Sequence, residues 1–318
     1  MPSIMITGAT GSFGKRFISR CLRESRFDRI VIFSRDELKQ YNLRQEFEDS
    51  QRLRWFIGDV RDRDRLEMAM YGVDSVVHAA ALKQVDTAEY NPMEFVKTNV
   101  LGSQNVIEAA IRCGVKKVIA LSTDKASSPI NLYGATKLTA DKLFIAGNAY
   151  GRPRNTIFSV VRYGNVVNSR GSVVPHFKLL KSHGKKLTIT DERMTRFWLN
   201  LDRAIDLVNL AHEKMFGGEL FVPKIPSVKI TDVARAIDPD GSFEIVGIRP
   251  GEKLHEEMIS REEGRRALEA SDHYIILPTE SGNFEKSVDY FPAESGFRFS
   301  SDTNKQWLSI DEIKKTLD

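Results

Sequence analysis

The sequence is poor in cysteine, with only Cys21 and Cys113, which lie in separate predicted helices and lack CxxC spacing. This excludes a disulfide framework and favours a reducing compartment. No apolar run approaches the length that crosses a bilayer, and no signal-peptide pattern precedes the first apolar run, Ser3–Thr7. The six histidines show no HExxH or paired ligand spacing. We therefore expect a cytoplasmic protein with no membrane contact and no metal.

The net charge of the chain is small for its length. The 318 residues carry a formal net charge of +4, and the basic residues form no run of the kind found in nucleic-acid-binding tails, so we expect no nucleic-acid partner. A hydrophobic fraction of 41% with 28% charged residues is that of an ordinary globular protein. This length suits one large domain, or a larger and a smaller one that share a cleft.

Short apolar runs alternate with longer amphipathic stretches through the first half, a pattern typical of a parallel sheet covered by helices. The pattern predicts an α/β fold with a Rossmann-type, doubly wound parallel sheet over residues 1–165. Alternation lapses after residue 165, so residues 166–318 are predicted to form mainly a smaller, mixed substrate-binding lobe, with segments able to return to the main domain. The predicted strands are Ser3–Thr7, Arg29–Phe33, Leu53–Ile57, Ser75–His78, Lys117–Leu121 and Ile157–Arg162. The predicted helices are Phe13–Glu24, Asp36–Phe47, Asp62–Met70, Pro92–Cys113, Leu132–Ala146, Leu201–Lys214 and Thr231–Ile237.

A glycine-rich turn joins the first strand to the first helix. Glycines permit a tight turn and let backbone amides approach a pyrophosphate, while the helix N-terminus supplies partial positive charge. The strand–turn–helix context makes dinucleotide binding the favoured interpretation, although a turn needs glycine in any case. The residues concerned are Gly8, Thr10, Gly11, Ser12, Phe13 and Gly14.

The end of the second strand bears on the choice of dinucleotide. Ser34 and Arg35 stand there, and an arginine accommodates a ribose 2′-phosphate where an acidic residue would bind the 2′-hydroxyl. Arg35 therefore favours NADP, with Lys39 as a second candidate. The alternative is that both are solvated charges at a helix start and that Asp36 only caps the helix.

The ends of two further predicted strands carry residues that could line a cofactor site. Asp59, followed by Val60, places a carboxylate where it can reach an adenine amino group. Ala79 and Ala80 are small enough for the backbone to lie close to a cofactor. For either segment alone, a plain loop is an equally good interpretation.

A Tyr-x-x-x-Lys motif follows the fifth strand. Tyr133 and Lys137 are four residues apart and share one face of a helix. A lysine at this spacing can lower the pKa of the phenol, which then accepts a proton from a sugar hydroxyl as hydride leaves. Thr123, Asp124 and Lys125 end the strand just before it and add two adjacent titratable groups.

With these motifs the sequence resembles the extended short-chain dehydrogenase/reductase family. The resemblance narrows to the inverting UDP-N-acetylglucosamine 4,6-dehydratases that begin pseudaminic acid synthesis. It extends over most of the chain to about Met258 and is carried by ITGATGSFG, FSRDELKQ, FIGDVRD, HAAALK, ALSTDKASSPINLYGATK, VRYGNVVNSRGSVVPHF and GIRPGEKLHEEM.

The resemblance implies a reaction and its catalytic residues. Hydride passes from C4 of the sugar to NADP⁺, water is eliminated across C5 and C6, and the hydride returns to C6. The resemblance makes Tyr133, aided by Lys137 and Thr123, the base at O4. It makes Lys125 the base that removes the C5 proton and Asp124 the acid that protonates the departing C6 hydroxyl.

The resemblance also implies binding residues for UDP-N-acetylglucosamine and for the cofactor, and an assembly of identical chains. Guanidinium groups suit diphosphate oxygens, although a single arginine is more often a surface ion-pair partner. The implied substrate contacts are Lys83, Asn165, Arg170, Val173, Thr188, Thr190, Arg196, Arg249 and Glu252. Lys83, Asn99 and Val166 are added to the cofactor contacts. Family members pair through helices that correspond to Pro92–Cys113 and Leu132–Ala146, so we expect a homo-oligomer.

The sequence departs from the family pattern at Gln84 and Asp86, where His-Val-Pro is usual, and at Asn168, where glycine is usual. Both changes bear on sugar specificity. A retaining dehydratase is disfavoured by Tyr133, and a UDP-sugar 4-epimerase needs no Asp-Lys pair. A non-catalytic NADP-sensing regulator has no need of these catalytic groups together.

Overall fold

The computed structural model describes residues 2–48, 50–169, 172–279 and 290–317. Its strands are β1 Ser3–Thr7, β2 Arg29–Ser34, β3 Leu53–Ile57, β4 Ser75–His78, β5 Lys117–Thr123, β6 Ile157–Tyr163, β7 Leu187–Ile189, β8 Thr195–Phe197, β9 Leu220–Pro223, β10 Ser227–Lys229, β11 Phe243–Ile245, β12 Glu257–Ile259, β13 Ala267–Glu269, β14 His273–Ile276, β15 Phe291–Pro292 and β16 Phe299–Ser300. The six strands predicted for the first half are confirmed to within two residues at each end.

The helices are α1 Ser12–Glu24, α2 Glu37–Glu46, α3 Arg63–Met70, α4 Val85–Tyr90, α5 Pro92–Phe95, α6 Gly102–Cys113, α7 Leu132–Gly151, α8 Val173–Ser182, α9 Leu201–Lys214, α10 Ile230–Ile237, α11 Arg261–Gly264 and α12 Ile310–Lys314. The helix predicted over Pro92–Cys113 is confirmed in its bounds, but a π-helical turn at Val96–Leu101 interrupts the α-helical hydrogen bonding between α5 and α6. At the start of α6, a Cβ on Gly102 would lie 2.8 Å from Val60, so only glycine admits this close approach. None of the described helices is both long and apolar enough to cross a bilayer.

The main sheet is the mostly parallel Rossmann type that the alternation predicts. Its strand order is β15-β13-β14-β9-β6-β5-β4-β1-β2-β3, and the pairs from β9 through β6 to β3 are parallel. β1, β4 and β5 are almost wholly buried apolar runs, since helices cover both faces of the sheet. The order reverses between β1 and β4, which is the point where ligands bind in such sheets, outside the carboxyl ends of the strands.

A second core lies beyond β6. It packs α8, α10 and α12 around Phe177, Trp198 and Val233, with the small pairings β7–β11 and β8–β10 beside it. The chain also returns to the main sheet, because β9 pairs with β6 and β14 pairs with β9. The division into 1–165 and 166–318 stays a prediction. Residues 282–318, for which the sequence pattern predicts no element, lie partly outside the described residues. Their described part contains β15, β16 and α12.

Candidate active site

A single cleft of about 1330 Å³ opens at the carboxyl ends of β1, β2, β4, β5 and β6 and extends to the second core. This exceeds the ~300–1,000 Å³ of common small-molecule sites, so a dinucleotide and a second ligand have room side by side. The predicted cofactor residues that line it are Gly8, Thr10, Gly11, Ser12, Phe13, Gly14, Ser34, Arg35, Asp36, Lys39, Val60, Ala79, Ala80, Lys83 and Val166. The predicted catalytic and substrate residues that line it are Thr123, Asp124, Lys125, Tyr133, Lys137, Asn165, Val173, Thr188, Thr190, Arg196, Arg249 and Glu252.

Two predicted site residues do not line the cleft, and a third lies outside the described residues. Asn99 lies buried behind the wall, where its side chain bonds the backbone of Leu82 twice at 2.9 Å and Thr136 at 3.1 Å. It therefore shapes the loop after β4. Asp59 is not among the cleft-lining residues, and its carboxylate accepts three hydrogen bonds from Arg61. Arg170 lies outside the described residues.

The turn between β1 and α1 is built for close backbone approach. Gly8 has φ +67°, and a Cβ there would lie 2.8 Å from the backbone of Ala80. A Cβ on Gly14 would lie 2.3 Å from the carbonyl oxygen of Ala9. The N-cap of α1 is Gly11, no side chain caps the helix, and its first turn carries no acidic residue. Its N-terminal amides therefore face the cleft without a carboxylate that would compete with a pyrophosphate.

The charged side chains after β2 differ in their partners, because Asp36 and Lys39 bond each other and Arg35 does not take part. Asp36 accepts a hydrogen bond from the backbone amide of Lys39 at 2.9 Å and also pairs with the Lys39 ammonium. These bonds hold the pKa of the Asp36 carboxyl below its usual range. Arg35 is 53% exposed, and its Nη1 lies 3.7 Å from Asp59 Oδ2. Asp36 therefore caps α2, and Arg35 is the more available cation at the mouth of the cleft.

Tyr133 and Lys137 occupy the inner wall on one face of α7. Burial raises the pKa of Tyr133 to about 12, although the charge of Lys125 and a hydrogen bond with Thr123 both oppose that rise. Lys137 donates to the carbonyl oxygen of Leu121 at 2.7 Å. The sequence predicts that Lys137 lowers the pKa of the phenol. That role stays a prediction. In the protein without ligands, the largest influence that lowers the pKa of the phenol is the charge of Lys125.

Asp124 has the environment of a general acid. Its side chain is buried, and Oδ1 accepts from Thr123 Oγ1 at 2.9 Å and from Lys125 Nζ at 3.1 Å. Oδ2 is buried without a hydrogen-bond partner among the described residues. Burial raises the pKa of the carboxyl above its usual range despite the neighbouring ammonium. A raised pKa lets a carboxyl hold a proton to higher pH, which is the property that a general acid needs.

Sequence reasoning missed Glu256, which also lines the cleft. The Lys125 Nζ atom lies 3.0 Å from Glu256 Oε1, so the ammonium sits between two buried carboxyls. Burial opposes the charge on Lys125, but Asp124 and Glu256 outweigh it and raise the lysine's pKa. Glu256 belongs to the quoted GEKLHEEM stretch, but nothing in the sequence shows that this glutamate meets a lysine 131 positions earlier.

A second missed network braces the back of the site. Arg162 is 1% exposed; its Nη2 lies 3.2 Å from Asp141 Oδ2 and its Nη1 lies 2.9 Å from Glu263 Oε1. Asp141 is one turn beyond Lys137 on α7 and also accepts from Ser122 at 2.7 Å. The network therefore ties α7 to β5, β6 and α11.

The outer part of the cleft carries the arginines that were predicted to face a diphosphate. Arg196 is 7% exposed, and its Nη2 lies 3.6 Å from Glu252. Arg249 is 62% exposed, with Nε 3.6 Å from Glu252 and Nη1 3.9 Å from Asp86 on α4. These contacts bring together residues from both sides of the opening, including one position where the sequence departs from the family pattern.

The fold and the cleft together are those of the extended short-chain dehydrogenase/reductase class. Residues 4–278 match the family described as polysaccharide biosynthesis protein, and the chain belongs to that family. It is 52% identical to the inverting UDP-N-acetylglucosamine 4,6-dehydratase of Campylobacter jejuni, over 98% of this chain and 96% of the relative. The resemblance predicted from the motifs is therefore confirmed.

Other similar proteins include one with a different named activity. A UDP-glucose 4-epimerase of Rickettsia massiliae is 42% identical over 99% of this chain and 95% of its own length. The crystal structure of Pen from Bacillus thuringiensis superposes with a TM-score of 0.91 at 38% identity, over 99% of this chain and 96% of that one. DesIV of Streptomyces venezuelae, a dTDP-glucose 4,6-dehydratase, has a TM-score of 0.74 at 22% identity over 99% of this chain and 95% of that one, which supports the fold.

Proposed function

We propose that the protein is a UDP-N-acetylglucosamine 4,6-dehydratase that inverts C5 and yields UDP-2-acetamido-2,6-dideoxy-β-L-arabino-hex-4-ulose. The observation that carries the proposal is the Asp124–Lys125 pair, which lies in the same cleft as Tyr133 and the glycine turn. Elimination of water needs an acid and a base beside each other, and a simple oxidation or epimerisation at C4 does not. The 52% identity to an enzyme of this name supports the same assignment.

The residues of the cleft suit a bound nicotinamide dinucleotide. The glycine turn and the uncapped N-terminus of α1 would hold the pyrophosphate, and Lys137 would hold a ribose hydroxyl. When bound, the dinucleotide accepts hydride from C4 and returns it to C6. Tyr133, hydrogen-bonded to Thr123, takes the O4 proton. Since burial holds the phenol in its neutral form, we expect the positive charge of the oxidised nicotinamide to aid its ionisation.

Asp124 and Lys125 then act on the C4 ketone. Lys125 removes the proton from C5, which the adjacent ketone has acidified, and Asp124 donates its proton to the departing C6 hydroxyl. Asn165, Val173, Thr188, Thr190, Arg196, Arg249 and Glu252 surround the UDP-sugar in this proposal, and Arg170 joins them by resemblance. Lys83, which lines the cleft, contacts the sugar or the nicotinamide ribose in this proposal.

We propose NADP as the cofactor. Arg35 is the cation at the end of β2. The acidic residue that follows it, Asp36, is already bonded to the start of α2, and Asp59, 3.7 Å from Arg35 Nη1, is bonded to Arg61. The distantly similar DesIV was solved with NAD, so the preference needs a direct test. Replacement of Arg35 by glutamine should weaken NADP binding at least about tenfold and leave NAD binding nearly unchanged, because only NADP carries the 2′-phosphate. Calorimetric titration with both dinucleotides checks this, and an equal loss for both would contradict it.

The alternative function is a UDP-sugar 4-epimerase, favoured by the 42% identity to a protein of that name. The deciding experiment mixes purified protein, UDP-N-acetylglucosamine and catalytic NADP⁺ in D₂O and follows the sugar by proton NMR. A new C6 methyl signal, deuterium at C5 and L-arabino couplings are expected. D-xylo couplings would indicate a retaining dehydratase, the C4 epimer an epimerase, and an unchanged sugar would leave the sensor hypothesis standing.

We also propose that the enzyme is a cytoplasmic homo-oligomer that supplies a pseudaminic acid-type sugar for glycosylation of polysaccharide or flagellin. Several large apolar side chains on or beside α4 and α5 are exposed, among them Tyr90 at 88% and Met93 at 57%. A chain that pairs through this region would cover them. Light scattering should give a multiple of the 36.0 kDa chain mass, and a monomer over a wide concentration range would contradict the assembly.

A further inference from the structure

Glu256 lies just before β12, and its backbone amide and carbonyl both form hydrogen bonds with the segment Ser300–Ser301. Its amide donates to Ser301 Oγ at 2.9 Å, and its carbonyl accepts from the Ser301 amide at 2.8 Å and from Ser300 Oγ at 3.2 Å. The side chain is 2% exposed, yet it lines the cleft. The C-terminal segment therefore fixes the backbone of Glu256, and the carboxylate reaches the cleft beside Lys125.

The two oxygens of this carboxylate have different surroundings. Oε1 lies 3.0 Å from Lys125 Nζ and 3.9 Å from Arg196 Nε, whereas Oε2 is buried and has no hydrogen-bond partner among the described residues. A carboxylate that served only to anchor the lobe would have both oxygens in bonds to its surroundings. Here the one strong contact is with the lysine that the proposed function assigns to C5.

Lys125 is held by Glu256 and Asp124 at nearly equal distances, 3.0 and 3.1 Å. The other charged or titratable groups that influence this cluster are Arg196 on β8, Lys253 in the segment before Glu256, and Tyr133 on α7. Glu256 is coupled to three cations, and its pKa is lowered although burial opposes the charge, whereas burial raises the pKa of Asp124. The two carboxyls around Lys125 therefore differ in the direction of their pKa shifts, downward for Glu256 and upward for Asp124.

The elimination step requires that Asp124 and Lys125 share one proton. With that proton on Asp124, the lysine is a neutral amine that can accept a proton, and the aspartic acid can donate one. The C5–H bond breaks and its proton passes to Lys125 Nζ, while its electron pair forms the C5–C6 double bond. The C6–O bond breaks, and the oxygen takes the proton of Asp124 and leaves as water. The pair ends as an ammonium beside a carboxylate, and transfer across the 3.1 Å contact restores the starting form.

We propose that Glu256 is a positioning residue for this step, which holds the Lys125 amine beside Asp124 and keeps the shared proton on the pair. The proposal deepens the proposed function and rests on it. Without the third carboxylate, the shared proton is lost to solvent at a lower pH, and the pair then has a base but no acid. Without any acceptor at position 256, the amine is also free to leave Asp124 by rotation of its long side chain.

Two variants separate these contributions. Glu256→Gln removes the charge but retains an oxygen that accepts from Lys125, and Glu256→Ala removes both. Glu257→Gln is the matched control, since the neighbouring carboxylate bonds Ser128 at 2.7 Å and Ser127 at 3.2 Å and lies near Arg298. The first measurement is kcat against pH for all forms. The second is the pH titration of the Lys125 ε-carbon signal in ¹³C-lysine-labelled protein, assigned by its loss in Lys125→Arg, which needs no turnover.

We expect Glu256→Gln to move the alkaline limb of kcat and the Lys125 titration down together by about one to two pH units, the equivalent of one charge-assisted hydrogen bond. kcat at the optimum should stay within the same order. Glu256→Ala should in addition lose about tenfold or more in kcat at the optimum, because the amine is no longer held in place. Glu257→Gln should match the unmodified protein in both measurements.

An alkaline limb and a Lys125 titration in Glu256→Gln that coincide with those of Glu257→Gln would overturn the positioning role. If the unmodified protein gives no dehydrated sugar, the proposed function fails, and the titration alone then decides whether Glu256 holds the proton on the lysine.

Discussion

Replacement of Arg162 by methionine should be among the most damaging single changes outside the cleft. The substitution keeps an unbranched side chain but removes the cation between Asp141 and Glu263, which are 3% and 15% exposed. It also removes a hydrogen bond of 2.9 Å to the carbonyl oxygen of Met258. Breaking a buried ion pair by removal of one partner costs about 3–5 kcal/mol, because the remaining charge is left uncompensated.

Arg16 provides a control of the same residue type. It binds Asp202 through two hydrogen bonds of 2.9 and 2.8 Å, so its distances match those of the Arg162 network. The two side chains are 45% and 46% exposed, and such surface pairs contribute about 0–1 kcal/mol. Arg16→Met should therefore cost at least about 2 kcal/mol less than Arg162→Met, and the difference measures burial and not geometry.

The cost of Arg162→Met should also depend on pH. Burial already raises the pKa of Asp141, and the charge of Arg162 opposes that rise. Without the arginine the folded-state pKa rises further above the unfolded value. A carboxyl with a raised folded-state pKa favours the folded state while it is protonated, and it loses that contribution as the pH rises through the unfolded and folded values. The variant should therefore be relatively less stable under mildly alkaline than under mildly acidic conditions.

Urea unfolding followed by circular dichroism, with Arg162→Met and Arg16→Met compared in the same buffers, measures these free energies. A cost for Arg162→Met no greater than that for Arg16→Met at alkaline pH would refute the reasoning. So would a cost that grew as the pH fell.

Two further predictions concern the cleft. Asp124→Asn removes the group proposed to protonate the C6 hydroxyl, so dehydrated product should form about 10²–10⁴-fold more slowly. Reduced dinucleotide should still appear in its ultraviolet absorbance, and loss of that signal as well would point to a damaged cofactor site. Gly14→Ala places a Cβ 2.3 Å from a backbone oxygen that cannot move aside, so it should lower the free energy of unfolding by about 3 kcal/mol or more, measured by thermal unfolding. Gly114→Ala meets no atom within 4 Å and should cost only the ~1–2 kcal/mol of its φ of +69°, so equal costs would contradict the packing explanation.

The sequence predicted the parts of the site that are local in the chain. The glycine turn, the Tyr133–Lys137 spacing and the strand ends each depend on residues a few positions apart, and periodicity locates them well. The π-helical turn inside the helix predicted over Pro92–Cys113 shows the limit of this reasoning. Its residues have helical spacing, but the π-helical turn and the contact of Gly102 with Val60 depend on packing against another segment.

The parts that the sequence could not predict are contacts between distant segments. Nothing in the local sequence distinguishes Glu256 in GEKLHEEM or Arg162 in β6 from other charged residues. Surface exposure is the usual expectation for both residue types. Only the folded chain shows that each is buried against opposite charges. The same holds for Lys137, whose bond to the carbonyl oxygen of Leu121 could not be inferred from its spacing to Tyr133.

The return of the chain to its first sheet limits how such a protein can change by exchange of segments. β9 lies between β6 and β14, and Val160 and Val161 pair with Leu220 and Phe221. No single crossover point separates a cofactor-binding fragment from a sugar-binding one, because a break after β6 leaves a long apolar strand edge unpaired and open to aggregation. New sugar preferences in this architecture are therefore expected to arise by substitutions along the cleft wall, and a fragment that ends near residue 165 should aggregate.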